Sequence, residues 1–325
     1  MSPPSAPVVD PDAAQSAHGA DVDAASLETL AAGSKSFSFA GRFLPARARG
    51  DAAVVYALCR LIDDLADEAP SIEQADLDLA ALRAELEGDA PPRPLVVRAR
   101  QVLERTGTGV APALHLMDGV CTDLRPVRVA NDAELLRYAY QVASTVGLMM
   151  CGVLGVDDAE ALPHAVDLGV AMQITNICRD VREDAMNGRV YLPADRLAAA
   201  GTSTDALLAG TPDRPAVAAV VRDLLEMADR YYTSADAGMR YIPLRSRLAI
   251  VVASRVYRAI GTRLLRRHGG DAWHGRTVVP TGTKVTRALG ALAALPTPRI
   301  AGWGGRVIHD RGLHQLLPAW PGVNG

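Results

Sequence analysis

The chain has 325 residues, of which 49% are hydrophobic and 22% charged, a composition that excludes an intrinsically disordered protein. Its formal charge of −3 provides no general positive field, so no nucleic-acid partner is expected. The four cysteines form no CxxC pair, and therefore predict free thiols in a reducing compartment, the cytoplasm, rather than a zinc site or disulfides.

The two ends of the chain differ in character from its middle. Residues 1–26 lack the basic and apolar regions of a secretory signal and are predicted to be a disordered lead-in. Residues 27–290 are predicted to form one domain. Residues 291–325 are rich in Pro and Gly and predict a loosely packed tail, with Trp303 and Trp320 exposed. No apolar run approaches the ~20 residues of a membrane-spanning helix, so any membrane contact is expected to be peripheral.

Between the two ends, apolar residues recur at three- and four-residue spacing, and strand-like alternation is nearly absent. Segments rich in Gly and Pro, such as residues 88–94 and 201–212, interrupt this pattern without dividing the chain. The fold class is therefore predicted to be all-α. The predicted helices cover Leu27–Ala32, Ala46–Asp67, Ile72–Leu86, Leu95–Thr106, Val110–Leu124, Asp132–Leu154, Asp157–Glu183, Ala194–Ala199, Asp213–Ser234 and Leu244–Arg267.

The first chemical motif is an acidic pair on the predicted helix 46–67. Asp63 and Asp67 are four residues apart, which places both carboxylates on one helix face, about 5–6 Å apart at Cβ. These like charges repel unless a hard divalent cation such as Mg²⁺ lies between them. Arg60 is one turn earlier, and its guanidinium suits a phosphate. Taken alone, the motif also fits a solvated acidic helix end.

A second polar stripe makes that simple explanation less favourable. Asn176, Asp180 and Asp184 follow one another at four-residue intervals on a helix whose preceding part is mostly apolar. A polar stripe in such surroundings is expected to line a cleft, where charge needs a partner. Gln173 is one turn before the stripe, and Arg179 has the length to reach a diphosphate.

Two acidic helices that face each other across a bundle can hold Mg²⁺ ions together with diphosphate oxygens. Metal ions so placed stabilise the charge on departing pyrophosphate and promote formation of an allylic carbocation. The constellation therefore predicts ionisation of prenyl diphosphates.

In these motifs and in several further segments, the sequence resembles the phytoene/squalene synthase family of head-to-head prenyltransferases, across roughly residues 27–290. The resemblance rests on several segments that occur in the expected order. They are GSKSF from Gly33, YxxxRxxDDxxDE from Tyr56, VASTVGL from Val142, QxxNxxRDxxED from Gln173, GRVYLP from Gly188, and RVY from Arg255, followed by Arg276.

The resemblance implies a single-domain helical bundle of the isoprenoid synthase type with a central apolar cavity. It also implies roles for particular residues. Those that match metal- or diphosphate-site positions are Asp63, Asp67, Asn176, Asp180 and Asp184, the four aspartates being catalytic. Those that match substrate-contacting positions are Ser34, Lys35, Ser36, Tyr56, Arg60, Gln173, Asn176, Arg179, Tyr257 and Arg276. Two positions depart from relatives: Gly33 stands where some have His, and Ser144 where Gly is common.

The activity implied is the joining of two geranylgeranyl diphosphates into phytoene through a cyclopropylcarbinyl diphosphate. The alternative substrate is farnesyl diphosphate, which would give squalene or dehydrosqualene. The implied cofactor is Mg²⁺, with Mn²⁺ as a substitute, and NADPH is required only if the product is squalene. Such cations must be kept from water, which an apolar bundle achieves.

Three rival interpretations remain open from the residues alone. A class I terpene cyclase shares the spacing of the second stripe, although the Asp residues there and the GRVYLP segment argue against it. A head-to-tail chain elongase also uses paired aspartate helices, but a GGKxxRP-like segment is missing. An inactive helical scaffold would be expected to lose acidic positions that are intact here.

The histidines and three of the methionines are predicted to have structural rather than catalytic roles. The seven histidines are scattered without metal-binding spacing and are predicted to lie on the surface or in the tail. Met149, Met150 and Met172 are predicted to be core residues, although a prenyl cavity needs apolar walls of the same kind.

Overall fold

The computed structural model of the protein describes residues 11–33, 44–275 and 308–323. The prediction of an all-α fold is confirmed, since the described residues contain no strand and only one isolated bridge, between Arg128 and Val190. The α-helices are α1 (Pro11–Gly33), α2 (Ala46–Asp67), α3 (Ile72–Glu87), α4 (Pro94–Arg105), α5 (Ala111–Asp123), α6 (Asp132–Ala139), α7 (Thr145–Val153), α8 (Ala161–Met186), α9 (Ala194–Ala199), α10 (Thr204–Leu208), α11 (Arg214–Gly238) and α12 (Leu244–His268).

Local sequence signals explain where several helices begin and end. Ser71 caps α3 by accepting a hydrogen bond from the backbone N–H of Gln74, and Asn131 caps α6 in the same way. Gly88 ends α3 with a φ of 95°, a left-handed conformation that glycine adopts without steric cost. The predicted boundaries of α2 agree with the structure, in which Pro45, with a φ of −55°, immediately precedes its first turn.

Three elements differ from the prediction. Helix α1 begins at Pro11, so residues 11–26 are helical where a disordered lead-in was predicted. Helix α10 forms inside the predicted break 201–212, because Ser203 caps it by accepting from the N–H of Ala206. The predicted helix 132–154 is interrupted by a π-helical segment, Tyr140–Ser144, between α6 and α7.

Helix α8 occupies the centre of the bundle. It packs against α7, α11, α12 and the π-helical segment, and its apolar side chains, including Val166, Val170 and Ile174, are fully buried. A second apolar cluster, formed mainly by α2–α5, covers the other side of the bundle. The helix that carries the second acidic stripe is therefore held on several sides by the core.

The described part of the C-terminal tail, residues 308–323, is packed against this core rather than loose. Leu317 and Val323 are buried, and Trp320, predicted to be exposed, is half-buried beside Tyr140. The hydroxyl of Tyr140 donates to the carbonyl oxygen of Pro321 at 2.7 Å. Apolar burial and hydrogen bonds to its backbone hold this segment, whereas Trp303 lies outside the described residues. Among the described helices, none combines the length and hydropathy needed to cross a bilayer.

Candidate active site

The first acidic pair lies near the C-terminal end of α2. The pKa of Asp63 is raised to about 6, mainly by burial and in smaller part by the charges of Asp67 and Asp64, while Arg60 opposes them. Arg60 itself pairs with Asp64 one turn later, on the partly exposed side of α2. The pair is therefore a concentration of negative charge that the nearby guanidinium balances only in part.

The second polar stripe lies along the C-terminal half of α8. The pKa of Asp184 is raised to about 7, mainly by burial and in smaller part by the charges of Asp180 and Glu183. Arg179 donates from Nε to Asp180 Oδ1 at 2.8 Å and also contacts Oδ2. Asn176 donates to Gln173 Oε1 at 3.4 Å.

Asp123, at the end of α5, connects the two acidic groups. Its negative charge contributes to the raised pKa of both Asp63 and Asp184, which places it close to α2 and α8 at once. Its carboxylate accepts hydrogen bonds from the hydroxyls of Tyr138 and Tyr191, each at 2.7 Å. Asp123, a half-buried carboxylate that the sequence patterns did not indicate, therefore lies close to both acidic helices.

Burial is also the main reason that the pKa of Asp123 is raised. Its two tyrosine donors and Arg189 act in the opposite direction and lower the pKa, but their effect is smaller. The rings of Tyr138 and Tyr191 stack with their centroids 4.7 Å apart. Tyr191 belongs to the GRVYLP segment noted above, but nothing in the sequence pairs that segment with the end of α5. Only the folded chain brings these residues together.

An apolar cavity lies in the bundle between α2, α7, α8, α11 and α12, and its lining includes Cys59 and Asn176, each one helical turn before an aspartate of the two acidic groups. Four predicted substrate-contacting residues line it, namely Tyr56, Gln173, Asn176 and Tyr257. Met150 and Met172 also line the cavity, whereas Met149 is a fully buried core residue as predicted. The described walls thus combine a few polar groups with hydrocarbon along most of their length, an arrangement suited to a molecule with a charged head and an apolar tail.

The acidic end has the chemistry of a hard divalent cation site. Its donors are carboxylate and amide oxygens, the ligands that Mg²⁺ prefers. The Oδ1 atom of Asn176 is buried without a hydrogen-bond partner among the described residues. This orphaned oxygen lies one helical turn before Asp180, on the stripe that ends at Asp184, whose pKa is raised, and a cation would stabilise such an environment.

His164 contradicts the prediction that all seven histidines lie on the surface or in the tail, and His309 and His314, which do lie in the tail, are firmly held there. His314 is buried, and it and His309 bond through Nε2 to the two carboxylate oxygens of Asp167, at 2.9 and 2.8 Å. His164 is buried as well, and its Nδ1 lies 3.0 Å from the hydroxyl of Ser234, which donates to Asp167 at 2.5 Å. A lone histidine carries no periodic signal, so this network was not predictable.

Within the described residues, His164, Asp167 and His309 have ligand atoms within 4.8 Å of one another, a spacing that a metal ion could use. These atoms already take part in hydrogen bonds with one another, with Ser234 and with His314. Internal hydrogen bonds therefore occupy Asp167, His309 and the Nδ1 of His164, whereas the Nε2 of His164 has no hydrogen-bond partner among the described residues. Four other predicted site residues, Ser34, Lys35, Ser36 and Arg276, lie outside the described residues.

Comparisons with known proteins agree with this geometry. The family model described as Squalene/phytoene synthase matches residues 30–283. The chain is 38% identical over 282 residues to the 15-cis-phytoene synthase of Enterobacter agglomerans, covering 83% of this chain and 94% of that relative. It is also 38% identical over 277 residues to the 15-cis-phytoene synthase of Paracoccus sp. (strain N81106 / MBIC 01143), covering 82% and 89%.

A solved structure leads to the same group of proteins. The crystal structure of a dehydrosqualene synthase in complex with ligand is similar to this chain with a TM-score of 0.75 at 27% identity, covering 88% of this chain and 99% of the other. The helical fold and the matching relatives define a prenyltransferase of the isoprenoid synthase type. More specifically, the chain belongs to the squalene/phytoene synthase family.

Proposed function

We propose that this protein joins two molecules of geranylgeranyl diphosphate head to head to give phytoene, using Mg²⁺ held between α2 and α8. The observation that carries the proposal is the convergence of two acidic groups, around Asp123, at the polar end of a long apolar cavity. The names of the relatives that are 38% identical support phytoene as the product.

Five side chains would hold the metal and, through it, the diphosphate: Asp63, Asp67, Asn176, Asp180 and Asp184. Bound Mg²⁺ would supply Lewis-acid stabilisation of the pyrophosphate charge as the allylic C–O bond breaks. The carboxylates on opposite helices position the diphosphate head at the polar end, which directs the prenyl chain into the cavity. The apolar walls exclude water from the allylic cation.

The bond changes follow from the family resemblance. The C–O bond of one substrate breaks, the 2,3-double bond of the second attacks the resulting cation, and proton loss gives a cyclopropylcarbinyl diphosphate. That intermediate loses its own diphosphate, and rearrangement, ring opening and a second proton loss give the linear hydrocarbon. No external reductant is needed for this product.

Condensation of two farnesyl diphosphates is the second candidate. It is favoured by the structural similarity to a dehydrosqualene synthase. Within that alternative, NADPH is needed for squalene but not for dehydrosqualene. The two candidates therefore differ in substrate length and, for squalene, in the final reduction.

The test is to incubate the purified protein and Mg²⁺ with geranylgeranyl or farnesyl diphosphate, with and without NADPH, and identify the hydrocarbon by mass spectrometry. A C40 product formed without NADPH is expected. A C30 product would support the second candidate, and a cyclic C15 product would overturn both.

Two substitutions connect that activity to the acidic groups. Asp63→Asn and Asp180→Asn should each reduce turnover by at least 10²-fold, because each removes an ionic ligand that acts in the transition state. Asp89→Asn is the matched control, since Asp89 is exposed and neither it nor its neighbours along the chain line the cavity. Full turnover in either of the first two variants would contradict the proposed metal site.

A further inference from the structure

Helix α8 forms one wall of the cavity, and the length of this wall follows from the rise of the helix. Asn176, Met172, Leu168 and His164 follow one another at four-residue intervals, and all four line the cavity. At 1.5 Å of rise per residue, His164 lies about 18 Å from Asn176, away from the acidic end. This helix therefore presents a sequence of side chains along the direction in which a prenyl chain must extend.

The lengths of the substrates can be compared with this distance. An extended farnesyl chain has twelve main-chain carbons and spans about 15 Å, whereas geranylgeranyl has sixteen and spans about 20 Å, from ordinary carbon–carbon bond lengths. With the diphosphate at the acidic end, the last isoprene unit of geranylgeranyl reaches the level of His164. A farnesyl chain ends about one helical turn before it.

His164 is held rigidly at that position. Only 3% of its surface is exposed, and Gly238 packs so closely that a Cβ there would lie 2.2 Å from the Cβ of His164. Its Nδ1 bonds to Ser234, and its ring meets that of His309 edge to face with the centroids 5.1 Å apart. The imidazole therefore has no space into which to retreat from an approaching chain.

The other ring nitrogen gives this position its chemical character. His164 Nε2 is buried and has no hydrogen-bond partner among the described residues. The neighbouring cavity side chains on the same helix, Leu168 and Met172, are apolar. Pressing hydrocarbon against an unsatisfied buried nitrogen is unfavourable, so His164 interrupts the apolar wall of α8 near its far end, where only Ala161 follows it in the cavity lining.

We propose that His164 is a specificity-determining residue that sets the length of prenyl chain accepted, and that the C-terminal segment positions it. This inference rests on the proposed function, because it takes prenyl diphosphates as the substrates. The positioning residues are Asp167, which accepts the hydroxyl hydrogen of Ser234, and His309 and His314, which bring residues 308–323 onto the same carboxylate. Residues 308–323, which are remote in sequence from both acidic helices, thereby support His164 through Asp167 and Ser234.

The direct test compares substrates of three lengths, the C15, C20 and C25 allylic diphosphates. His164→Ala should raise the ratio of kcat/KM for C25 over C20 by about tenfold, because it opens the end of the wall. His164→Trp should lower the ratio for C20 over C15 by about tenfold, because it shortens the space. His268→Ala, remote from the cavity lining, is the control and should leave both ratios unchanged.

The positioning role is tested with His309→Leu and His309→Gln. Leucine cannot bond to Asp167, so the C25 over C20 ratio should rise severalfold, in the direction of His164→Ala. Glutamine can donate to Asp167 and should restore the ratio to within about twofold of the wild type. Loss of structure alone would lower kcat/KM for all substrates together and leave the ratio unchanged.

A binding measurement separates failure of this inference from failure of the proposed function. Calorimetry with non-ionisable thiodiphosphate analogues of the three lengths reports the same ratios as Kd values, without turnover. Absence of product from the wild type would overturn the proposed function only. If both His164 variants are folded by circular dichroism and keep the wild-type ratios in binding, His164 does not set chain length.

Discussion

Gly169 of α8 lies directly against Ser144 of the π-helical segment. A Cβ at position 169 would sit 2.4 Å from the Cα of Ser144 and 2.5 Å from its backbone nitrogen, closer than real atoms approach. The Ser144 hydroxyl donates to the carbonyl oxygen of Val166 at 2.7 Å, which ties the two elements together. Ser144, one of the two departures from relatives, thus forms a hydrogen bond that joins the π-helical segment to α8.

This contact predicts opposite effects for two glycine substitutions. Gly169→Ala should destabilise the protein by about 1–3 kcal/mol or more, because the obstructing atoms belong to backbone and cannot rotate away. Gly50→Ala, on α2 with no atom within 4 Å of the new methyl group, should stabilise it by about 0.5–1 kcal/mol. Denaturant unfolding of both variants measures the free energy of unfolding. Equal effects would show that α8 and the π-helical segment are not in close contact.

Asp123 is expected to control metal affinity without binding the metal. Asp123→Asn removes a charge that acts on both Asp63 and Asp184, and leaves one tyrosine hydroxyl facing an amide NH₂. The concentration of Mg²⁺ that gives half-maximal turnover should rise about 10–100-fold, as is common for groups that orient metal ligands. Manganese binding followed by electron paramagnetic resonance measures affinity independently of turnover. An unchanged Mg²⁺ requirement would contradict this role.

Several helices and both acidic stripes were predictable because they depend on residue spacing within a single helix. Helices such as α2 and α3 were predictable because amphipathic spacing lies within the helix itself and, for α3, the capping residues Ser71 and Gly88 directly flank it. The acidic stripes were recognisable because i, i+4 spacing determines which side chains share a helix face. The facing of the two stripes required only that both helices belong to one bundle.

Long-range relationships were not predictable from the same signals. Asp123 is a single acid at a helix end, and its importance arises from tyrosines on two other parts of the chain. The buried histidines depend on residues 308–323 folding back onto α8, where Asp167 accepts two imidazoles. A composition rich in Pro and Gly predicted loose packing for that segment, but its apolar side chains, such as Leu317, are buried instead.

The acidic site is expected to reduce the stability of the metal-free protein. The folded-state pKa of Asp184, about 7, is far above the value of about 3.9 for an unfolded aspartate, so its charged form is unfavourable when folded. This cost is fully present above pH 7 and decreases as the pH falls towards 4. Asp184→Asn should therefore raise the Tm by about 2–4 °C at pH 8 in the presence of a chelator.

The same substitution should abolish turnover, because it removes a metal ligand of the proposed site. The gain in Tm should be smaller at pH 5 than at pH 8, and Mg²⁺ should stabilise the wild type more than the variant. Differential scanning calorimetry at both pH values, with and without Mg²⁺, measures these differences. A variant that is less stable than the wild type at pH 8 would show that Asp184 carries no electrostatic cost.

His314 should make attachment of the C-terminal segment depend on pH. Its Nδ1 lies 2.7 Å from the carbonyl oxygen of Val323 and its Nε2 lies 2.9 Å from the carboxylate of Asp167. Both partners accept hydrogen bonds, so both ring nitrogens must carry hydrogen and His314 is an imidazolium. Burial lowers the pKa of His314, but the hydrogen bond and charge of Asp167 outweigh this effect and raise it overall.

A raised folded-state pKa means that the stabilisation is fully present below the unfolded value of about 6.5 and is lost as the pH rises through the folded value. His314→Gln keeps a donor towards Asp167 but carries no charge, so its Tm should fall below that of the wild type at pH 6 and approach it at pH 9. Thermal melts across this range, with ¹⁵N NMR of the imidazole nitrogens, measure both quantities. A difference in Tm that grows with increasing pH would mean that His314 is neutral and that Asp167 is held by other donors.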